Sequence, residues 1–304
     1  MKISRRGSCF PVRIAADACN RRRTINYPGA RILTTNGKKD VDAVWWVSGL
    51  RVSTDRPLVE AEPCSDDEVD LQVLFRPDPG SEVEVGVMSS ADSSGDWFKL
   101  MDKDAALAWI RADGRLALVA EGEALVRGFD ALVRRVVPFA AALQDRVVLH
   151  ASSVLADDGV HAFIGASGAG KSSLAERLGD QGFPVLSDDL LLCLPTDAGI
   201  VIPRSGQDED DESGSALAAV YFVEREVALD KIDLQEMSEE ECFKGLLQHG
   251  FGELSVPKIW AAQFELYSII SEQCKAYRLR LPDSLGRLAE SAETLARGWS
   301  PVQD

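Results

Sequence analysis

The sequence is poor in the residues that build metal and disulfide sites. It has only three histidines and six cysteines among 304 residues, with no CxxC pair and no histidine at zinc-binding spacing. This pattern excludes a zinc finger and a disulfide framework, and we expect free thiols. Cys193 and Cys242 stand in apolar surroundings, which predicts two small core residues.

Long hydrophobic runs are also missing. No segment approaches the roughly 20 apolar residues that a membrane-spanning helix needs. The N-terminus is basic but lacks the continuous apolar stretch of a secretory signal. A hydrophobic content of 45% with 27% charged residues is typical of a soluble globular protein. We therefore expect a cytoplasmic protein without a membrane partner.

Positive charge is scarce outside the first 40 residues. The net charge of −16 argues against a nucleic-acid partner, because a phosphate backbone would be repelled over most of the surface. Residues 1–40 nevertheless hold ten lysines and arginines against Asp17 and Asp40. This basic arm is either a solvated tail or a docking segment for an acidic partner, and the sequence leaves both open.

The length allows two domains, and the predicted order of strands and helices changes near residue 145. Residues 1–145 read as short strands between turns, closed by a helical pattern that Pro138 is expected to kink or end. Residues 146–304 show the strand–loop–helix–strand order of an α/β sheet. We predict an α/β protein with a smaller β-rich N-terminal domain and a catalytic domain over 146–304.

A glycine-rich loop carries the clearest chemical signal. The stretch GASGAGKS from Gly165 to Ser172 matches the pattern GxxxxGK[ST] in full, after an apolar strand and before a helical pattern. In such a loop, backbone N–H groups converge on phosphate oxygens, Lys171 reaches the β- and γ-phosphates, and Ser172 ligates Mg²⁺. The pattern predicts ATP and Mg²⁺ as cofactors. The predicted binding residues are Gly165, Ala166, Ser167, Gly168, Ala169, Gly170, Lys171, Ser172 and Ser173.

An acidic pair follows the helix. Asp188 and Asp189 end a short strand, and the carboxyl ends of neighbouring parallel strands share one edge with the loop. Adjacent side chains on an extended strand point to opposite faces, so one carboxylate could meet an incoming hydroxyl and the other Mg²⁺. A simple Asp-Asp turn or helix cap fits the spacing equally well. His150, after the strand VVL, is either a structural or a catalytic histidine.

These segments resemble the HPr serine kinase/phosphorylase family. The similarity lies in LHASSV, GASGAGKSSLAERL and FPVLSDDLLLC, and it is specific over about residues 147–195. A weaker resemblance to the related kinases extends over residues 215–297, in YFVERE and GLLQHGFGEL. The resemblance implies the P-loop fold variant shared with phosphoenolpyruvate carboxykinase. It further implies that Asp188 takes the acceptor proton, that Asp189 supports the metal, and that His150 tunes both. Arg204 occupies roughly the region of the family's second signature and is a candidate stabiliser of phosphate charge.

The leading hypothesis is therefore an ATP-dependent kinase that phosphorylates a serine hydroxyl on a protein or a ribosomal peptide. Some relatives of this type act on peptides, and the N-terminal domain could dock such an acceptor. A P-loop ATPase or switch and a non-catalytic nucleotide sensor are the alternatives. The sequence identifies neither the acceptor nor the oligomeric state, and a homo-oligomer stays open.

Overall fold

The protein has a mixed α/β fold with two nine-stranded sheets and few helices. The first sheet precedes residue 145 and the second follows it, on the two sides of the predicted domain boundary. The computed structural model describes residues 31–35, 38–47, 50–55, 62–63, 68–77, 87–88, 97–102, 105–120, 135–197, 199–203, 214–249 and 256–302.

The first sheet is built from short strands in the order β1-β2-β3-β5-β9-β8-β7-β6, with β4 paired to β2. A turn at Asp113–Gly114 joins the antiparallel strands β8 and β9, and Gly114 N–H donates to the Arg111 carbonyl. The strands are β1 (Arg31–Thr35), β2 (Lys38–Val47), β3 (Leu50–Thr54), β4 (Glu62–Pro63), β5 (Leu71–Arg76), β6 (Val87–Met88), β7 (Trp97–Asp102), β8 (Ala105–Arg111) and β9 (Leu116–Ala120).

The second sheet is mixed rather than parallel. Its main path is β10-β14-β15-β16-β12-β11-β13, and β18 pairs with both β16 and β17. Strands β12, β16 and β18 run parallel to one another, while β11 is antiparallel to both of its neighbours. The strands are β10 (Val147–Leu149), β11 (Ala151–Ala156), β12 (Gly159–Ile164), β13 (Val185–Ser187), β14 (Leu191–Thr196), β15 (Gly199–Ile202), β16 (Ser215–Glu226), β17 (Asp233–Glu236) and β18 (Lys275–Pro282).

Five α-helices are described. Pro138 does not end the first one, because it lies in the first turn, where its missing N–H has no intrahelical partner to lose. A capping box starts the helix at Glu239: Glu241 N–H donates to Ser238 Oγ, and Ser238 N–H donates to the Glu241 carboxylate. The helices are α1 (Val137–Leu143), α2 (Lys171–Gly179), α3 (Glu239–His249), α4 (Pro257–Gln273) and α5 (Leu288–Ala296), the last preceded by a 3-10 turn at Leu285–Arg287.

One hydrophobic core crosses residue 145. The buried face of the first sheet and helix α1 pack in the same cluster as Val148, Leu192 and Ile259, which lie on β10, β14 and α4. The buried Asp70 carboxylate, just before β5, accepts hydrogen bonds from Arg51 Nε at 3.0 Å and Arg146 Nη2 at 2.8 Å. Apolar packing and a charged network therefore both hold the start of the second part against the first sheet.

The thiols predicted to lie in the core do so. Cys193 and Cys242 are free and buried, and burial raises the pKa of the Cys242 thiol to about 12. Such thiols stay protonated and unreactive at neutral pH. Among the described residues, no helix is both long enough and apolar enough to cross a membrane.

Candidate functional site

The Gly165–Ser172 loop lies at the carboxyl edge of the second sheet. It joins β12, which ends at Ile164, to α2, which begins at Lys171. Gly165 must be a glycine here, because a Cβ atom at that position would lie 2.5 Å from the Val223 carbonyl oxygen of β16. Gly170 has φ +102°, which side chains rarely adopt. Residues 166–168 are exposed, so the middle of the loop is open to a ligand.

Lys171 closes the loop on itself. Its buried ammonium donates to the carbonyl oxygens of Gly165 at 2.8 Å and Ala166 at 3.2 Å. Burial lowers the pKa of Lys171, while the negative charges of Asp189 and Asp188 act in the opposite direction. Lys171 is therefore close enough to Asp188 and Asp189 for their charges to attract its ammonium group. A phosphate would give this buried cation a stronger partner than the two carbonyl groups.

The structure brings the acidic pair to the same sheet edge by an unexpected route. Strand β13 ends at Ser187 and runs in the same direction as β12, but the antiparallel β11 lies between them. Strand β11 also holds the acidic segment directly: Ser152 Oγ donates to the Asp188 carbonyl at 2.7 Å, and Ala151 N–H donates to the Asp189 carbonyl at 3.1 Å. The expected shared edge is thus present although the sheet is mixed.

The two aspartates occupy a bend rather than an extended strand. The expected alternation of their side chains therefore has no basis in strand geometry. Their surroundings differ instead, because Asp188 is exposed whereas Asp189 is half-buried.

His150 lies beside Asp189. Its Nδ1 atom is 3.1 Å from Asp189 Oδ1, and both side chains are about one-third exposed. A histidine hydrogen-bonded to a carboxylate can orient it and share its proton. The structure thus brings together His150, both aspartates and Lys171, which were predicted to act in one site.

The predicted magnesium ligands are only two side chains, those of Ser172 and Asp189. Ser172 is exposed in the first turn of α2, and Asp189 supplies a carboxylate. No group of three or more His, Cys, Asp or Glu side chains suited to a metal ion occurs within the described part of the chain. Mg²⁺ does not require such a cage when substrate phosphates and water complete its coordination, so these residues fit a metal that arrives with a nucleotide.

His249 lies near the loop, and the sequence had assigned it no role beyond its place in the weakly similar stretch GLLQHGFGEL. This histidine ends helix α3, and its ring faces Phe222 at 6.5 Å between centroids. Phe222 pairs with Ile164, the residue before the loop, in the ladder between β12 and β16. Burial lowers the pKa of His249, the positive charge of Lys171 lowers it further, and Glu224 opposes them. Only tertiary packing makes this histidine a neighbour of the site.

Two arginines, Arg204 and Arg225, are candidates for an interaction with the loop or with a phosphate. Arg204, the predicted stabiliser of phosphate charge, lies outside the described residues. Arg225, to which the sequence had assigned no role, lies near the loop on strand β16 and donates from Nε to the Ala169 carbonyl at 3.3 Å.

Comparisons with known proteins show only a weak structural similarity. No protein-family model matches this chain, and no curated protein matches it. Among solved structures, the HPr(Ser) kinase/phosphatase from Coxiella burnetii is similar over 50% of this chain and 94% of its own, with 14% identity and a TM-score of 0.27. A likeness of this size decides neither family nor activity, so the proposed function rests on the residues of this chain.

Proposed function

We propose that this protein is an ATP-dependent kinase that transfers the γ-phosphate to a serine hydroxyl of a protein or peptide. The observation that carries the proposal is the joint placement of Lys171 and the acidic pair at one sheet edge, with His150 bound to Asp189. A cation for the phosphates and a carboxylate for the acceptor proton are the two groups that phosphoryl transfer needs.

The division of labour follows from exposure. Asp188 is the better candidate for the base, because its exposed carboxylate is accessible to an incoming hydroxyl. Asp189 is half-buried and already paired with His150, which suits a carboxylate that holds Mg²⁺ or its waters in a fixed position. Mg²⁺, when bound, would neutralise charge on the β- and γ-phosphates.

The N-terminal β-rich domain is the proposed docking element for the acceptor. Its sheet shares a hydrophobic core with β10, β14 and α4. An acceptor bound to this sheet would therefore be held at a fixed position relative to the catalytic domain. Most of its basic N-terminal arm, residues 1–30, falls outside the described residues.

Transfer of label tests the proposal. The full-length protein is incubated with Mg²⁺, γ-labelled ATP and a degenerate peptide library with a central serine; the matched library has alanine at that position. We expect label in the serine peptides and none in the alanine peptides. Label that appears only as free phosphate, at a rate that serine peptides do not change, would contradict a kinase and favour the ATPase alternative.

A further inference from the structure

Arg225 lies against the end of the Gly165–Ser172 loop. It stands near the carboxyl end of β16, the strand that pairs with β12. Its Nε atom donates to the Ala169 carbonyl at 3.3 Å, and its Nη1 atom bonds to Asp283 Oδ1 at 3.2 Å. One guanidinium therefore connects the loop to the residue that follows β18.

The guanidinium also closes the space beside Gly170. A Cβ atom at Gly170 would lie 3.1 Å from Arg225 Nη2 and 3.4 Å from its Nε. Arg225 thus contacts both residues of the Ala169–Gly170 peptide unit. Among the described residues, it is the arginine that hydrogen-bonds to this loop.

The two ends of that peptide unit point in opposite directions. The carbonyl of Ala169 and the N–H of Gly170 share one planar peptide, so a donor that fixes the carbonyl also fixes the N–H. The N–H groups of such a loop are the donors that bind phosphate. A positive charge on the carbonyl side also polarises the peptide, which strengthens its N–H as a donor.

Arg225 and Lys171 hold different parts of the loop. Lys171 bonds to carbonyl groups at the beginning of the loop, and it must exchange them for a phosphate. Arg225 bonds to a carbonyl at the end of the loop and can keep that bond while ligand is present.

We propose that Arg225, held by Asp283, is a positioning residue that orients the Gly170 N–H toward the nucleotide phosphates. This inference rests on the proposed function, since it assumes that the loop binds ATP. Arg225 acts through the loop backbone and is not a catalytic residue.

The experiment measures Kd for Mg·ATP and for AMP with the full-length wild-type protein and four variants. Arg225→Gln removes the charge, and we expect Mg·ATP to bind about 5- to 20-fold more weakly, while AMP, which lacks the β- and γ-phosphates, changes less than about twofold. Arg225→Lys keeps the charge but not the fork, and should recover part of the affinity. Asp283→Asn leaves the loop contact in place and should cost about 2- to 5-fold.

Arg280→Gln is the matched control. Arg280 lies on the adjacent strand β18 and pairs with Asp233 at 3.0 Å. Its side chain points to the opposite face of the strand from its neighbour Leu281, which lies beside Gly170. We expect its Mg·ATP affinity to equal that of wild type. A spectroscopic readout isolates positioning from general damage: the amide proton of Gly170 should shift in ligand-free Arg225→Gln and in Asp283→Asn, while that of Gly179 at the end of α2 stays unchanged.

Three outcomes would overturn the inference. These are wild-type Mg·ATP affinity in Arg225→Gln, equal losses for Mg·ATP and AMP, and an unmoved Gly170 amide in both Arg225→Gln and Asp283→Asn. If wild-type protein bound no Mg·ATP, the proposed function itself would fail. If wild type bound Mg·ATP and the variants bound it equally well, only the role of Arg225 would fail.

Discussion

Asp188 and Asp189 are neighbours in the chain, but their surroundings differ. The backbone carbonyls of both are fixed by β11, through Ser152 and the Ala151 N–H. The side chain of Asp188 is exposed, whereas that of Asp189 pairs with His150. At the scale of single residues, the proposed division between base and metal ligand rests on a fixed backbone that carries two differently placed carboxylates.

Asparagine at each position tests this division. Asp188→Asn keeps the size of the side chain and removes the proton acceptor, so transfer to a serine peptide should fall by about 10²–10⁴-fold with Mg·ATP affinity little changed. Asp189→Asn should instead raise the Mg²⁺ concentration needed for half-maximal transfer. Asp180→Asn, in an exposed ion pair with Arg177, is the control. Wild-type transfer rates in both variants across a full Mg²⁺ titration would refute a catalytic acidic pair.

If the loop binds a nucleotide as proposed, His249 should make that binding dependent on pH. Burial and the charge of Lys171 lower the pKa of His249, so it is neutral at pH 7 in the free protein. A triphosphate beside Lys171 brings negative charge, which raises that pKa, so binding should take up a proton. Affinity for Mg·ATP should then rise as the pH falls from about 8 toward 6.

Calorimetry in buffers of different ionisation enthalpy measures this proton uptake directly. We expect His249→Gln to abolish most of it and to flatten the pH dependence between about pH 6 and 8. His161→Gln is the control, because it replaces another buried histidine, one that hydrogen-bonds to Tyr221 and Asp158. Equal proton uptake by wild type and His249→Gln would remove His249 from the site.

Helix α3 carries His249 to the sheet edge, and its sequence shows how. The capping box at Ser238 and Glu241 starts the helix, and Cys242 and Leu246 bury one face of it. Gly245 lets this face approach β16 closely, since a Cβ atom there would lie 2.5 Å from the Phe222 ring. At the scale of elements, the lack of a Cβ atom at Gly245 determines how closely α3 can pack on β16.

Gly245→Val should displace α3 from β16. Overpacking of this kind lowers the free energy of unfolding by about 1–3 kcal/mol, and Mg·ATP affinity should fall with it because His249 moves. Valine is a better helix former than glycine, so helix propensity cannot account for a loss in Gly245→Val. Gln248→Val, at an exposed position of the same helix, shows the effect of a valine on α3 without overpacking. Denaturant unfolding measures the first effect and calorimetric titration the second. A Gly245→Val protein as stable as Gln248→Val would show that α3 does not pack closely at this point.

The whole molecule depends on contacts across residue 145. Burial would raise the pKa of Asp70, but hydrogen bonds from Arg51 and the charge of Arg146 outweigh it and lower that pKa. Because the folded-state pKa is depressed, Asp70 contributes stability above its ordinary pKa of 3.8, and this contribution is lost as the pH falls below that value. The network thus joins the first sheet to β10 most firmly at neutral pH.

Asp70→Ala leaves two arginines without their shared carboxylate. We expect the free energy of unfolding at pH 7 to fall by roughly 1.5–3 kcal/mol, and the difference from wild type to shrink below about pH 4. Asp113→Ala removes an ion pair of similar length with Arg111, but that pair is nearly half exposed and should matter much less. Similar losses in the two variants would mean that the Asp70 network does not bridge the two parts.

Local patterns predicted most of the elements near the site. The Gly165–Ser172 loop, helix α2 and the capping box of α3 depend on neighbours in the chain, so short stretches of sequence are enough to predict them. The shared edge of the loop and the acidic pair was predicted from a parallel sheet, yet it arises through the antiparallel β11. Pro138 lies in the first turn of α1, where a proline costs no hydrogen bond. Most of the helical pattern that it was expected to kink or end lies outside the described residues.

Sequence reasoning assigned no role to Arg225 or His249, although both lie in stretches that weakly resemble the related kinases. Arg225 and His249 reach the site because β16 pairs with β12 and α3 packs on Phe222. Ala169, which accepts the hydrogen bond from Arg225, lies 56 residues away from it in the chain. A single sequence without those contacts cannot distinguish the two residues from ordinary surface residues.

Binding of ATP is the central claim, and calorimetric titration of the full-length protein with Mg·ATP tests it most directly. We expect wild type to bind, Lys171→Ala to bind about 10- to 100-fold more weakly because a charged hydrogen-bond donor is lost, and Lys244→Ala, an exposed lysine of α3, to match wild type. Wild-type protein that binds no Mg·ATP at millimolar concentration, or Lys171→Ala that binds as tightly as wild type, would contradict the claim.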